Sequence, residues 1–192
     1  MDHVHLTSIA NALANLGIGT YRFNFPFMQH GKRRVDSQSR CLEILEIAHK
    51  TAIQLSPNGR VFLAGHSFGG RMASHYLDSL SAAKTTQHSS TQPRCDGLIC
   101  FSFPLHPSKK PAITRAEHLR SIRNPILLVS GDRDLLAEKP LLESVVEPLS
   151  NAQIYWLETA DHGFKILKRS RVSTEDVYKE AARITKDWLD HI

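Results

Sequence analysis

Residues 61–80 read VFLAGHSFGGRMASHYLDSL, an apolar run that passes through Gly65-His66-Ser67-Phe68-Gly69 into a helical pattern. Residues 60–64 are short, β-branched and aromatic, as a buried strand requires, and residues 69–80 carry a helix. A chain that turns from strand to helix within one or two residues has room only for small residues around the apex. The G-x-S-x-G spacing supplies them and lifts the Ser67 hydroxyl clear of the sheet. The N–H of Phe68, at the start of the helix, then faces any oxyanion formed at that point. The competing interpretation is a glycine-rich helix entry in which Ser67 is only a cap.

Outward from this turn, β-rich runs alternate with helical patterns. Leu6, Ile9, Leu13 and Leu16 have helical spacing before a stop at Gly17, residues 20–25 read as a strand ending at Pro26, and residues 40–55 form an amphipathic helix. Further strands are expected at 97–103, 126–130 and 153–157, with helices at 141–149 and 174–189. Residues 81–94 are polar and unpatterned, the composition of a surface loop. Strands separated by helices pair in parallel through right-handed crossovers, and the runs at 61–63, 98–101 and 126–129 are continuously apolar, as strands covered on both faces must be. The expected architecture is α/β, with a mostly parallel sheet between helical layers in one domain spanning residues 1–192. In such sheets the chemistry sits in loops beyond the carboxyl ends of the strands.

A serine nucleophile needs a base, and the base needs an orienting acid. The strand at 126–130 runs into Gly131-Asp132-Arg133-Asp134, and the strand at 153–157 runs into a loop holding Asp161 and His162. Ser67, a carboxylate and His162 thus follow three strand ends, in the chain order expected of α/β-hydrolases. Two aspartates compete for the acid. Asp134 stands where the loop has turned and is favoured, whereas Asp132 would bond its own turn, and Asp161 would shape the loop beside His162.

The segments GHSFGGRMAS, CFSFPLHP, LLVSGDRD and ADHGF, in this order, resemble the α/β-hydrolase-like family that includes the testis-expressed hydrolase-like proteins and the NSL histone-acetyltransferase complex subunit. RFNFPFMQHGKRR and the late LKRS look closest to its bacterial members, and the resemblance covers essentially the whole chain. It implies a three-layer α/β-hydrolase fold with Ser67 as nucleophile, Asp134 as acid and His162 as base, and it places the loop 103–107 near the site. Some eukaryotic relatives serve as assembly subunits, so a non-catalytic scaffold is the alternative to a serine hydrolase acting on an ester or related acyl bond. The family also carries, before the first helix, a strand and a glycine-rich HGxG-like loop that supplies a second oxyanion donor. Met1-Asp2-His3 stands where that loop would end, so an N-terminally truncated fold is expected. The missing strand would lie between residues 20–25 and 60–64; the two neighbours then close up, or the open edge pairs with another molecule, a route to a homo-oligomer.

The composition narrows what else the chain does. It has 192 residues, 41% hydrophobic and 22% charged, with a net charge of +5. No apolar stretch approaches the ~20 residues of a membrane helix, and with an acidic second residue and no basic region before the first apolar positions, no secretory leader is expected. Three cysteines (Cys41, Cys95 and Cys100) with no CxxC suit a reducing compartment, so a cytoplasmic address is expected. The basic clusters 32–34 and 165–171 read as solvated surface rather than a nucleic-acid footprint. Eleven histidines include one HxH, His3 and His5, without a second pair at zinc spacing, so no metal is expected; a triad needs no cofactor, and the expected partner is a small acyl substrate.

Overall fold

The computed structural model describes residues 4–86 and 93–192. The described elements, in chain order, are α1 (Val4–Ala14), α2 (Pro26–Gln29), α3 (Gln38–Leu55), β1 (Phe62–His66), α4 (Phe68–Thr86), β2 (Gly97–Phe101), a 3₁₀ helix (Thr114–Ser121), β3 (Ile126–Gly131), α5 (Lys139–Val146), β4 (Ala152–Leu157) and α6 (Val177–His191). The strands form a parallel sheet in the order β1-β2-β3-β4. GLICF in β2 and ILLVSG in β3 are buried at every position, while β1 and β4 alternate in exposure. That contrast follows from position, because only the two inner strands are covered by neighbours as well as by both helical layers.

Successive strand residues point to opposite faces, which divides the core in two. Leu63, Leu98, Cys100, Ile126 and Leu128 face α3, α4, α5 and the 3₁₀ helix. Ile99, Phe101, Leu127, Val129 and Leu157 face α1 and α6, where Trp188, Leu189 and Ile9 close the layer. The fold is therefore a helix–sheet–helix sandwich, and because each crossover returns the chain to the amino edge, all four described strands end at the same carboxyl edge of the sheet.

Three expectations fail in whole or in part. Residues 20–25 do not form a strand. They join α1 to α2 without regular secondary structure, and they pair with no strand of the described sheet. Their alternating aromatics serve packing instead: Phe25 is buried, with its ring 5.4 Å from Phe23 and 5.7 Å from Phe68. Between this segment and β1 lies a cavity of about 700 Å³, walled by Ile18, Tyr21 and Phe23 on one side and by Phe62, Leu63 and Ala64 on the other. The neighbours therefore do not close up. Ser67 donates its N–H to the carbonyl of Phe101 at 2.9 Å, so by alternation Phe62 and Ala64 turn their main-chain groups toward the open edge, and Ala64 is exposed in the middle of its strand.

The second failure is the loop expected from residue 81. Helix α4 continues to Thr86, because 81–86 (SAAKTT) holds no Gly or Pro to stop it; residues 87–92 lie outside the described residues. The basic cluster 165–171 is likewise not all solvated surface. Arg171 is buried; it donates to the Glu158 carbonyl at 2.6 Å and pairs with Glu180, pinning the loop after β4 to α6.

Candidate active site

Ser67 stands between β1 and α4 with φ of 52°, a left-handed conformation costly for a side chain with a Cβ. The glycines around it divide the work unequally. A Cβ on Gly65 would meet the carbonyl carbon of Gly69 and the nitrogen of Gly70 at 2.5 Å, and one on Gly70 would meet the Gly65 oxygen at 2.7 Å. Gly69, in contrast, faces open space. Close approach of strand and helix thus demands glycine at 65 and 70, while the third member of the spacing is sterically free.

The three expected residues meet. Ser67 Oγ lies 2.7 Å from His162 Nε2, and His162 Nδ1 lies 2.7 Å from Asp134 Oδ2. Asp134 is buried and its Oδ1 accepts from the Leu136 N–H at 2.8 Å, while the His162 side chain stays 24% exposed, open to a substrate. If Asp134 is ionised, the proton between it and His162 sits on Nδ1, leaving Nε2 to accept from the serine hydroxyl. Asp132 makes no such contact. Its Oδ1 is buried without a hydrogen-bond partner among the described residues. Asp161 Oδ1 accepts from the N–H groups of Gly163 and Lys165 at 2.9 and 3.0 Å and so shapes the His162 loop.

The loops after β3 and β4 are fastened to each other. Arg133 donates its N–H to the Ala160 carbonyl at 3.0 Å, and a Cβ on Gly131 would lie 2.2 Å from that same oxygen. The separation of Asp134 from His162 is therefore set by main chain. Residues 103–107, expected as a loop near the site, lie beneath the acid loop: Phe103, Leu105 and His106 are fully buried, and Leu105 donates its N–H to the Leu136 carbonyl at 2.8 Å.

His66 was not among the candidates. Its Nε2–H donates to the His162 carbonyl at 3.0 Å, with the two rings 5.6 Å apart. His5 also stacks on His66, with ring centroids 5.1 Å apart, and its Nδ1 lies 2.6 Å from the Tyr178 hydroxyl. The variable position of G-x-S-x-G thus ties the base loop to the nucleophile turn; the only sequence signal was a second histidine beside the serine. Phe68 opens α4, where the first N–H groups of a helix have no intrahelical acceptor. His3, of the HxH pair, lies outside the described residues, and among those described no group of three or more histidine, cysteine, aspartate or glutamate side chains is placed to hold a metal ion. Burial raises the pKa of the Cys41 and Cys100 thiols, which disfavours thiolate chemistry there.

The family described as "Alpha/beta hydrolase domain" matches residues 1–190. The chain belongs to the alpha/beta hydrolase domain family. Among solved structures, it resembles an alpha-beta serine hydrolase homologue from Coxiella burnetii at 19% identity and TM-score 0.66, covering 100% of this chain and 76% of that one. An a/b serine hydrolase without lid from Xanthomonas campestris matches at 21% identity and TM-score 0.66, covering 98% of this chain and 75% of that one. The esterase domain of a Rhodothermus marinus protein matches at 15% identity and TM-score 0.65, covering 100% of this chain and 82% of that one. At these identities the likeness establishes the alpha/beta hydrolase fold of the chain. No described helix is long and apolar enough to cross a membrane.

Proposed function

We propose that this alpha/beta hydrolase is a serine hydrolase that cleaves an ester or related acyl bond. The observation that carries the reading is the unbroken hydrogen-bonded row from Ser67 through His162 to Asp134, each link 2.7 Å long. Ser67 Oγ attacks the acyl carbonyl while His162 Nε2 takes its proton. The carbonyl becomes a tetrahedral oxyanion facing the Phe68 N–H. His162 then returns the proton to the leaving group, and an acyl-serine remains. Water, deprotonated by the same imidazole, releases the acid and restores the serine. Asp134 holds the imidazole in the required tautomer and stabilises its charged form.

The reading takes residues 1–192 as one domain in the cytoplasm, acting on a small acyl substrate without cofactor, membrane or nucleic acid. Its motifs remain those quoted for the testis-expressed hydrolase-like and NSL-subunit relatives. The open edge of β1 is where a second copy would pair, and sedimentation at rising concentration tests that assembly. The activity is tested with a fluorophosphonate probe, which should label Ser67 in the folded wild-type protein and leave Ser67→Ala unlabelled. Absence of labelling in folded protein overturns the hydrolase and leaves the non-catalytic scaffold.

A further inference from the structure

The 3₁₀ helix is strapped along α4 in a fixed register. Ser121 Oγ donates to Asp78, the His118 ring stacks on His75 with centroids 3.7 Å apart, and His118 Nε2 lies 2.7 Å from Ser74 Oγ. A 3₁₀ turn advances three residues over about 6 Å, and an α-helix covers that length in about four residues. One step before the contacts of His118 with Ser74 and His75, Arg115 therefore comes level with Arg71, and their charges repel each other.

Both guanidinium groups are half-buried, and neither has a carboxylate or any other hydrogen-bond acceptor among the described residues. Arg71 instead lies over the Phe68 ring, its Cζ 5.7 Å from the centroid. The acid beside the neighbouring histidines, Asp78, accepts from Ser121. Burial together with Arg71 favours the uncharged forms of His75 and His118 beside them. Two like charges, drawn partly out of water and left without a counter-ion, disfavour the fold unless an anion joins them. Arg71 sits one helical turn past Ser67, over the ring of the residue whose N–H would meet the oxyanion, and Arg115 approaches the site from the 3₁₀ helix beside it.

We propose that Arg71 and Arg115 form an anion-recognition site beside Ser67, so that the ester this protein cleaves carries a negatively charged group on its acyl or leaving portion. This rests on the serine hydrolase reading and narrows its substrate class. A carboxylate or phosphate there would accept from both guanidinium forks, while the aromatic wall of Phe25, Phe27 and Phe68 (Phe27 and Phe68 rings 5.8 Å apart) borders the apolar part of the substrate. The charge then selects among esters, and the triad treats them alike.

The test compares mono(4-nitrophenyl) glutarate with uncharged 4-nitrophenyl valerate, which share leaving group and acyl length. Wild type should favour the glutarate by at least about tenfold in kcat/KM. Arg71→Met and Arg115→Met should each lower that preference about tenfold, Arg71→Lys should retain part of it, and 0.5 M salt should weaken it. The exposed Arg183→Met on α6 controls for loss of charge as such, and circular dichroism confirms that each variant is folded. A wild type without preference, or a preference that survives in the double variant, overturns the anion site while fluorophosphonate labelling still upholds the hydrolase. If Ser67 does not label, the site is judged by calorimetric binding of glutarate dianion to Ser67→Ala. Loss of that binding on adding Arg71→Met supports the anion site; absent or unchanged binding overturns it.

Discussion

Asp134→Asn tests the acid of the proposed triad, because it changes charge and donor pattern without changing shape. In the wild type, Oδ1 accepts from the Leu136 N–H at 2.8 Å and Oδ2 faces His162 Nδ1 at 2.7 Å. Asparagine has one oxygen, and the part-buried Leu136 N–H claims it, which turns the amide NH₂ toward Nδ1. His162 must then accept at Nδ1 and carry its proton on Nε2, the tautomer that cannot take a proton from Ser67. The charged imidazole also loses its counter-ion. Two unit charges 2.7 Å apart at an effective dielectric near 20 attract by about 6 kcal/mol, an upper bound equal to roughly four powers of ten in rate. A fall of about 10³–10⁴-fold in kcat is therefore expected, with little change in thermal midpoint. Asp132→Asn, which touches neither His162 nor Ser67, should remain within a few-fold of wild type. Initial rates on 4-nitrophenyl esters, with circular dichroism to confirm folding, read both variants. Should Asp134→Asn keep near-normal turnover while Asp132→Asn loses it, the orienting role belongs to the other aspartate; if both keep it, hydrolysis does not use this row.

Two further outcomes follow from the same geometry. Gly65→Ala places a methyl 2.5 Å from the main chain of Gly69 and Gly70, so β1 and α4 must move apart; a loss of about 1–3 kcal/mol in urea unfolding is expected, with fluorophosphonate labelling abolished, whereas Gly69→Ala, facing open space, should be tolerated. The second concerns pH. Burial, then the neighbouring His75, pushes His118 down to about 4, with Arg71 acting in the same direction and Asp78 against it. Because this pKa lies below the ordinary value near 6.5, the unfolded chain binds more protons between those limits, and stability falls as pH drops from about 6.5 toward 4. Thermal midpoints over that range should fall more steeply for wild type than for His118→Gln, which keeps a partner for Ser74; equal slopes would refute the assignment.

The limits of the sequence show at particular residues. The turn at Ser67 was legible because its cause is local, a strand and a helix with too little room between them. Residues 20–25 misled because alternating aromatics report a preference for extended chain, but a strand also requires a partner, and no described strand pairs with them. Arg171 looked like surface charge because one-dimensional spacing cannot show Glu180 and the Glu158 carbonyl converging on it. His66 was passed over for the same reason: its acceptor lies 96 residues away.

The order of elements and the placing of a serine, an acidic loop and a histidine at three strand ends were determined by the chain itself, since apolar runs, glycine spacing and helical periodicity act over a few residues. Which aspartate meets the imidazole was decided only in three dimensions. Asp132 and Asp134 share one short turn after Gly131, and the contact of that turn with Ala160 sends one carboxylate to His162 and leaves the other's Oδ1 without a partner among the described residues. The register that brings the 3₁₀ helix with Arg115 alongside Arg71 on α4 was decided there too, because it depends on how whole elements pack, which no local stretch of sequence encodes.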